Sequence, residues 1–176
     1  MRMPLTFQYA ALVADVVSLV LCVACAAIDL RSYRIPNWLT FGGAAVGLAL
    51  AAATGSLAVA QAALLGLAIG LLALLPARAV GAVGMGDVKL LAAVGALVGF
   101  PLVLRVVVYT LLWGGLLALG LALIRVVLGA ALRNVLALST RKAAPVALHR
   151  MPYGLAIFAG TAHAVASRYL PGLAPW

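Results

Sequence analysis

Long apolar runs separated by short polar breaks set the pattern of this chain. The first run extends from Tyr9 to Ile28 and ends at the polar stretch Asp29-Leu30-Arg31-Ser32-Tyr33-Arg34-Ile35-Pro36-Asn37. Pro36 works against a helix through that stretch and biases Ile35 towards an extended backbone. Further runs follow at Trp38–Ala53, Leu57–Leu75, Asp87–Phe100, Leu102–Ile124 and Tyr153–Ala166. The breaks are Thr54-Gly55-Ser56, the glycine-rich stretch from Ala77 to Gly86 after Pro76, Pro101, and a long connection from Arg125 to Arg150. A helix needs about 20 apolar residues to span a hydrocarbon layer. The pattern therefore predicts an all-α polytopic membrane protein, a bundle of six transmembrane helices forming one domain over residues 1–176. The fourth run is short for a crossing, so it is expected to begin in the headgroup layer or to sit where the bilayer thins. Apolar positions in the long connection (Val126, Val127, Leu128, Leu132, Val135, Leu136) predict a helix lying in the membrane surface. Gly66 and Gly70 form a small-xxx-small pattern that permits close helix packing.

Composition agrees with this reading. Of 176 residues, 67% are hydrophobic and 9% charged, too few charges to cover a soluble core of this size. The net charge of +9 comes from basic residues scattered between the runs, which excludes a nucleic-acid face and leaves anionic lipid as counter-charge. Counting Lys and Arg places the connections after runs one, three and five in the cytoplasm, with Arg2 and Arg168 as two minor votes against. Trp38 is placed as an interfacial anchor. Arg2, the first run and Ala24-Cys25-Ala26 imitate a cleavable leader, but Asp15 interrupts the run, and the first span is expected to stay. Cys22 and Cys25 form a CxxC inside an apolar helix with no second pair, so they read as packing residues.

The chain has three acids, Asp15, Asp29 and Asp87. An acid beside a bilayer-length run is costly and suggests function. Asp87 lies in Gly84-Met85-Gly86-Asp87-Val88-Lys89, at the start of a helix whose unpaired amides favour a carboxylate. Alone it reads equally as an N-cap after a flexible turn. The orientation puts Asp29 and Asp87 at the same membrane face, which makes them candidate neighbours in space. Two close carboxylates share one proton, the arrangement of an aspartic protease. The ionised partner takes a proton from the attacking water while the protonated one donates to the peptide carbonyl, with no metal or cofactor. Gly84 and Gly86 are expected to leave room for a substrate backbone. Lys89 has three open roles: tuning the pair, binding phospholipid, or snorkelling. Asp15 is about 21 Å from Asp29 along the helix and is expected to pair with Arg105. His149 reads as a loop residue and His163 as a packed or hydrogen-bonded one.

The stretch from Gly84 to Lys89 resembles the GxGD-x-K signature of type IV prepilin peptidases. Asp29 to Asn37, with Ile35-Pro36-Asn37, is similar to their other aspartate loop, and Met151-Pro152-Tyr153-Gly154 resembles their P-[FY]-G motif. The resemblance implies a leader peptidase for prepilin-like substrates at the cytoplasmic face of a bacterial inner membrane, with Asp29 and Asp87 as the catalytic pair. It also implies that Gly84, Gly86, Lys89, Ile35, Pro36, Asn37, Pro152, Tyr153 and Gly154 shape the site or bind substrate. Longer members carry an added cytoplasmic domain with two CxxC pairs and N-methylate the product. No such domain is read here, so methyl transfer is not expected, and the chain looks like the short peptidase-only form of tight-adherence (Flp) pilus systems. Two other classes remain open: a small proton-coupled carrier, and a catalytically inactive subunit of a secretion machine. A carrier favours acids near the midplane, often between inverted repeats.

Overall fold

A computed structural model describes residues 5–32, 34–136 and 153–170, with side chains described for 8–32, 34–124 and 153–170. The described residues are helical, in the order α1 (Leu5–Ser32), α2 (Asn37–Ala53), α3 (Leu57–Ala73), α4 (Leu75–Ala79), α5 (Met85–Val98), α6 (Leu102–Leu136) and α7 (Tyr153–Tyr169). Six of the seven correspond to the predicted runs, and α4 is a single short turn. Three helical stretches, Gln8–Ser32, Leu57–Ala79 and Leu102–Ile124, are long and apolar enough to cross a membrane. The other three long helices have 17, 14 and 17 residues.

The bundle is built around α5. Eleven of its fourteen residues are buried, including Val88, Leu90, Leu91 and Val94. A helix that is apolar all round belongs in an interior. Its neighbours reach it through glycines. A Cβ at Gly66 of α3 would overlap the Gly95 carbonyl, and one at Gly70 would overlap that of Leu91. On α2, Gly47 lies against the backbone of Ala96 and Leu97. In lipid, where apolar burial gives helices no net attraction, such close approach supplies the packing energy. The predicted role of Gly66 and Gly70 is thus observed. Truncating Leu90 or Leu91 to Ala is expected to cost about 2–5 kcal/mol.

The outer faces are apolar too. Leu64, Leu65 and Leu72 of α3 and Leu112, Leu116, Leu119 and Leu123 of α6 are exposed, as is Trp38 at the start of α2. A soluble protein does not keep such a surface in water. The composition, the long apolar helices and this outward-facing leucine surface describe a membrane protein.

Four boundaries differ from expectation. Helix α1 continues through Asp29 to Ser32, so Asp29 stands on a helical turn and not in a loop. The hydroxyl of Ser32 donates to the carbonyl of Ile28, extending the last turn. Pro36, six residues beyond Leu30, acts as N-cap of α2 with extended backbone and does not stop α1 early. After α3 the chain breaks at Leu74, and Pro76 then sits in the first turn of α4, where its missing N–H costs nothing. Helix α5 begins at Met85, two residues before Asp87. Finally, residues 125–136 continue α6 and do not start a separate surface helix. No proline falls between Ile124 and Leu136. The charge of Arg125 does not break the backbone ladder. The rest of the long connection, with Arg141, Lys142, His149, Arg150 and Pro152, lies outside the described residues.

Candidate active site

Four chain segments meet at one end of the bundle: the end of α1, the link Arg34–Pro36 with the start of α2, the start of α5, and the start of α7. Between the first three lies a cavity of ≈ 260 Å³, lined by Asp29, Arg34, Ile35, Asn37, Gly84, Met85, Gly86, Asp87 and Lys89. The two motif aspartates, far apart in sequence, line the same space. It has room for several waters.

Asp87 is held by its own helix. Gly84 is the N-cap of α5, and its N–H donates to Asp87 Oδ2 at 3.1 Å. Asp87 is thus the third helical residue, in the reciprocal half of a capping box. The other oxygen, Oδ1, is buried and has no hydrogen-bond partner among the described residues. A buried carboxylate oxygen left without a donor is rare and calls for an explanation such as a reactive role or a bound water.

Asp29 is held from elsewhere. The N–H of Gly154, in the first turn of α7, donates to Asp29 Oδ2 at 3.2 Å. The first amides of a helix have no intrahelical partner and carry the positive end of the helix dipole, so this is a natural seat for a carboxylate. A Cβ at position 154 would stand 3.2 Å from Asp29 Oδ2 and 3.5 Å from Ala26 Cα. Glycine there lets α7 start directly against α1. Asp29 and Asp87 are both only 6% exposed.

The remaining predicted site residues take more specific places than expected. Gly84 and Gly86 both line the cavity, and Gly86 is also closely approached by Ile35. A Cβ there would stand 3.0 Å from Cβ of Ile35, so this glycine admits the Arg34–Pro36 link to the start of α5. Gly84 has ordinary extended backbone, and the space a Cβ would take faces Asp87 Oδ2 at 3.1 Å. Lys89 Nζ donates to Asn37 Oδ1 at 2.9 Å and stands 5.1 Å from the Phe41 ring centre. It ties α5 to α2 across the rim of the cavity. Pro36 caps α2 beside the cavity without lining it. Tyr153 is half-buried and is not among the lining residues. Its ring fills the space over Gly114 of α6, where a Cβ would meet the phenol oxygen. Arg34 and Met85 line the cavity and were not singled out. Arg34 was legible as a cation inside the Asp29–Asn37 stretch, but nothing in the pattern separated it from Arg31.

Three readings away from the cavity are also settled. Cys22 and Cys25 are buried free thiols, and Cys22 Sγ donates to Thr161 Oγ1 at 3.6 Å, in line with a packing role. The His163 ring stacks on Tyr109, with centroids 4.0 Å apart. The ion-pair partner of Asp15 is Arg168, at 2.8 Å, and not Arg105. The correction follows from topology. Helix α7 runs back along α1, so its end comes to the N-terminal half of α1 where Asp15 sits. Among the described residues no three His, Cys, Asp or Glu side chains converge as ligands for a metal ion.

The fold and the cavity define a helical membrane protein with two carboxylates gathered at one end of its bundle. A family model described as the type IV leader peptidase family matches residues 16–123, well over half the chain and including both aspartates. The chain belongs to that peptidase family. No curated protein and no solved structure matches it.

Proposed function

We propose that this protein is a membrane aspartic endopeptidase that removes the leader from prepilin-like proteins. In this reading Asp29 and Asp87 activate one water between them. One carboxylate, ionised, accepts a proton from the water as it attacks the scissile carbonyl. The other, protonated, donates to the carbonyl oxygen, and the proton later goes to the leaving amine. The single observation that carries the proposal is that both aspartates line one cavity. Family membership supports it, as do the amide donors that hold each carboxylate by one oxygen.

The same reading places all six long helices across a bacterial cytoplasmic membrane, with the cavity at the cytoplasmic face. Helix α5 is about 21 Å long against a hydrocarbon core of about 30 Å. Its N-terminus, with Asp87, then lies recessed below the surface, where a leader segment adjoining an apolar helix is presented. Arg168 no longer votes against this orientation, because Asp15 neutralises it. The substrates are proposed to be subunits of a type IV, Flp or type II secretion filament, with no cofactor required.

The test is co-expression with a leader-bearing prepilin. Wild type is expected to yield mature subunit, and Asp29→Asn and Asp87→Asn each to lower processing by at least ~10³-fold while remaining in the membrane. Mature subunit made by either variant at a wild-type rate would contradict the assignment.

A further inference from the structure

Helices α1 and α7 meet in a seam with a repeat that neither the cavity nor the motif stretches explain. On α1 the residues Asp15, Ser18, Cys22, Cys25 and Asp29 are all buried, spaced by three and four in turn. On α7 Gly154, Ile157, Thr161 and Ala164 are buried with the same spacing, and Arg168 continues it. This three-four alternation is the pattern of two helices facing each other along a common line. Among the described residues, polar contacts cross the seam at three levels. Arg168 Nη1 donates to Asp15 Oδ2 at 2.8 Å, Cys22 Sγ to Thr161 Oγ1 at 3.6 Å, and the Gly154 N–H to Asp29 Oδ2 at 3.2 Å. Along α1 the contacts fall at 15, 22 and 29, and along α7 at 168, 161 and 154. Both helices therefore place them seven residues apart, or about 10.5 Å. The rungs match one for one, with α7 running antiparallel to α1.

The outermost rung is the strongest. Asp15 is 2% exposed, and its Oδ2 also accepts from the Tyr169 hydroxyl at 2.9 Å. A charge-assisted pair with a second donor, its carboxylate buried and its guanidinium 33% exposed, sets both distance and direction. The innermost rung is the one that holds Asp29, and it is a single backbone amide. A slide of α7 by one residue moves that amide by about 1.5 Å, out of hydrogen-bond reach. Between the two rungs the one polar contact across the seam among the described residues is Cys22 Sγ to Thr161 Oγ1, at 3.6 Å a weak one, while Gly160 lies against the backbone of Thr110 on α6.

We infer that the Asp15–Arg168 pair is a positioning device for the acid site: it sets the register of α7 against α1 so that the Gly154 amide meets Asp29. Asp15 stands about 21 Å from Asp29 along α1, so the pair acts through α7. The inference rests on the proposed role of Asp29.

The experiment uses the full-length protein in lipid nanodiscs. A single change would leave a buried charge unpaired and endanger the fold. The main variant is therefore the neutral double change Asp15→Asn with Arg168→Gln, and Arg168→Lys keeps the ion pair as the conservative control. The first readout is hydrogen exchange at the Gly154 amide, which has no partner within its own helix and is protected through Asp29. The second is prepilin cleavage, resolved into kcat and KM. The neutral variant is expected to exchange at Gly154 at least ~10-fold faster. Its kcat is expected to fall ~10-fold with KM within about twofold, since the chemistry and not the binding depends on Asp29. Arg168→Lys is expected to stay near wild type in both. Unchanged exchange at Gly154 in the neutral variant would overturn the inference. So would faster exchange with kcat unchanged, provided Asp29→Asn is inactive. If Asp29→Asn cleaves normally, the functional reading itself fails and takes the catalytic half of this inference with it. The exchange data, which do not depend on activity, identify that case.

Discussion

Asp87 and Asp29 reach the same cavity by opposite routes. Asp87 is held by the amide of Gly84, three residues away on its own helix. Asp29 is held by the amide of Gly154, 125 residues further along the chain. The first arrangement forms as soon as α5 forms. The second exists only when α7 has packed along α1 in one register. Both carboxylates end equally buried and each accepts one backbone hydrogen bond. A local device and a tertiary one thus give the same chemistry, but they differ in what disturbs them. Asp87 is sensitive to its immediate neighbours, and Asp29 to contacts spread along a helix pair.

The sharpest way to separate the two is to alter their glycines. Gly154→Val puts a branched side chain where Asp29 Oδ2 and the Ala26 backbone already stand, at 3.2 and 3.5 Å from the Cβ position. Helix α7 must withdraw, and cleavage is expected to fall ~100-fold in a processing assay. Gly86→Val crowds Ile35 Cβ at 3.0 Å and moves the Arg34–Pro36 link, with a loss of ~10-fold expected. Gly84→Ala is milder. Its new methyl meets only the end of the Asp87 side chain, at 3.1 Å, and the backbone there suits any residue. A loss of about threefold is expected, equivalent to about 0.7 kcal/mol. If Gly84→Ala proved as damaging as Gly154→Val, the contrast between local and tertiary support would be lost.

Smaller still is the effect of the rim. Lys89→Met and Asn37→Ala remove the same hydrogen bond from opposite ends. Each is expected to slow cleavage about twofold, and the double variant no more than the worse single one. Fully additive losses would mean that Lys89 acts on something other than Asn37. Gly42→Ala serves as the neutral end of the series, because nothing lies within 4 Å of its Cβ position.

The same contrast explains what could be read in the chain before folding. Asp87 at the start of a helix after a glycine-rich turn was legible, because capping is a matter of adjacent residues. Close packing of α3 was legible from Gly66 and Gly70, but not that α5 is the helix they meet. The helical surroundings of Asp29 were not, since a polar stretch with Pro36 looks like a loop unless the ladder of α1 is seen to run on to Ser32. The places of Gly84 and Gly86 were legible only in part, for a related reason. A glycine announces missing volume, but only the fold shows that Ile35 and Asp87 occupy it. Asp15 was given to Arg105 by depth alone. The seven-residue spacing from Asp15 through Cys22 to Asp29, mirrored from Arg168 to Gly154, pointed to α7 and was in the sequence throughout. It acquires meaning only once α1 and α7 are known to be partners. The run from Arg125 to Leu136 was read as a new element because charge density changes there, whereas helix continuity is decided by the backbone.

The central claim is that Asp29 and Asp87 face each other across one cavity, and it can be tested without any substrate. Asp29→Cys and Asp87→Cys are combined in one chain and treated in native membranes with a short bifunctional thiol reagent. Cys22 and Cys25 are buried and are replaced as a control. The account predicts that one reagent bridges positions 29 and 87 within a single chain, recovered as a linked pair of peptides after digestion. Two singly modified thiols, with no bridge formed under conditions where each reacts alone, would contradict it.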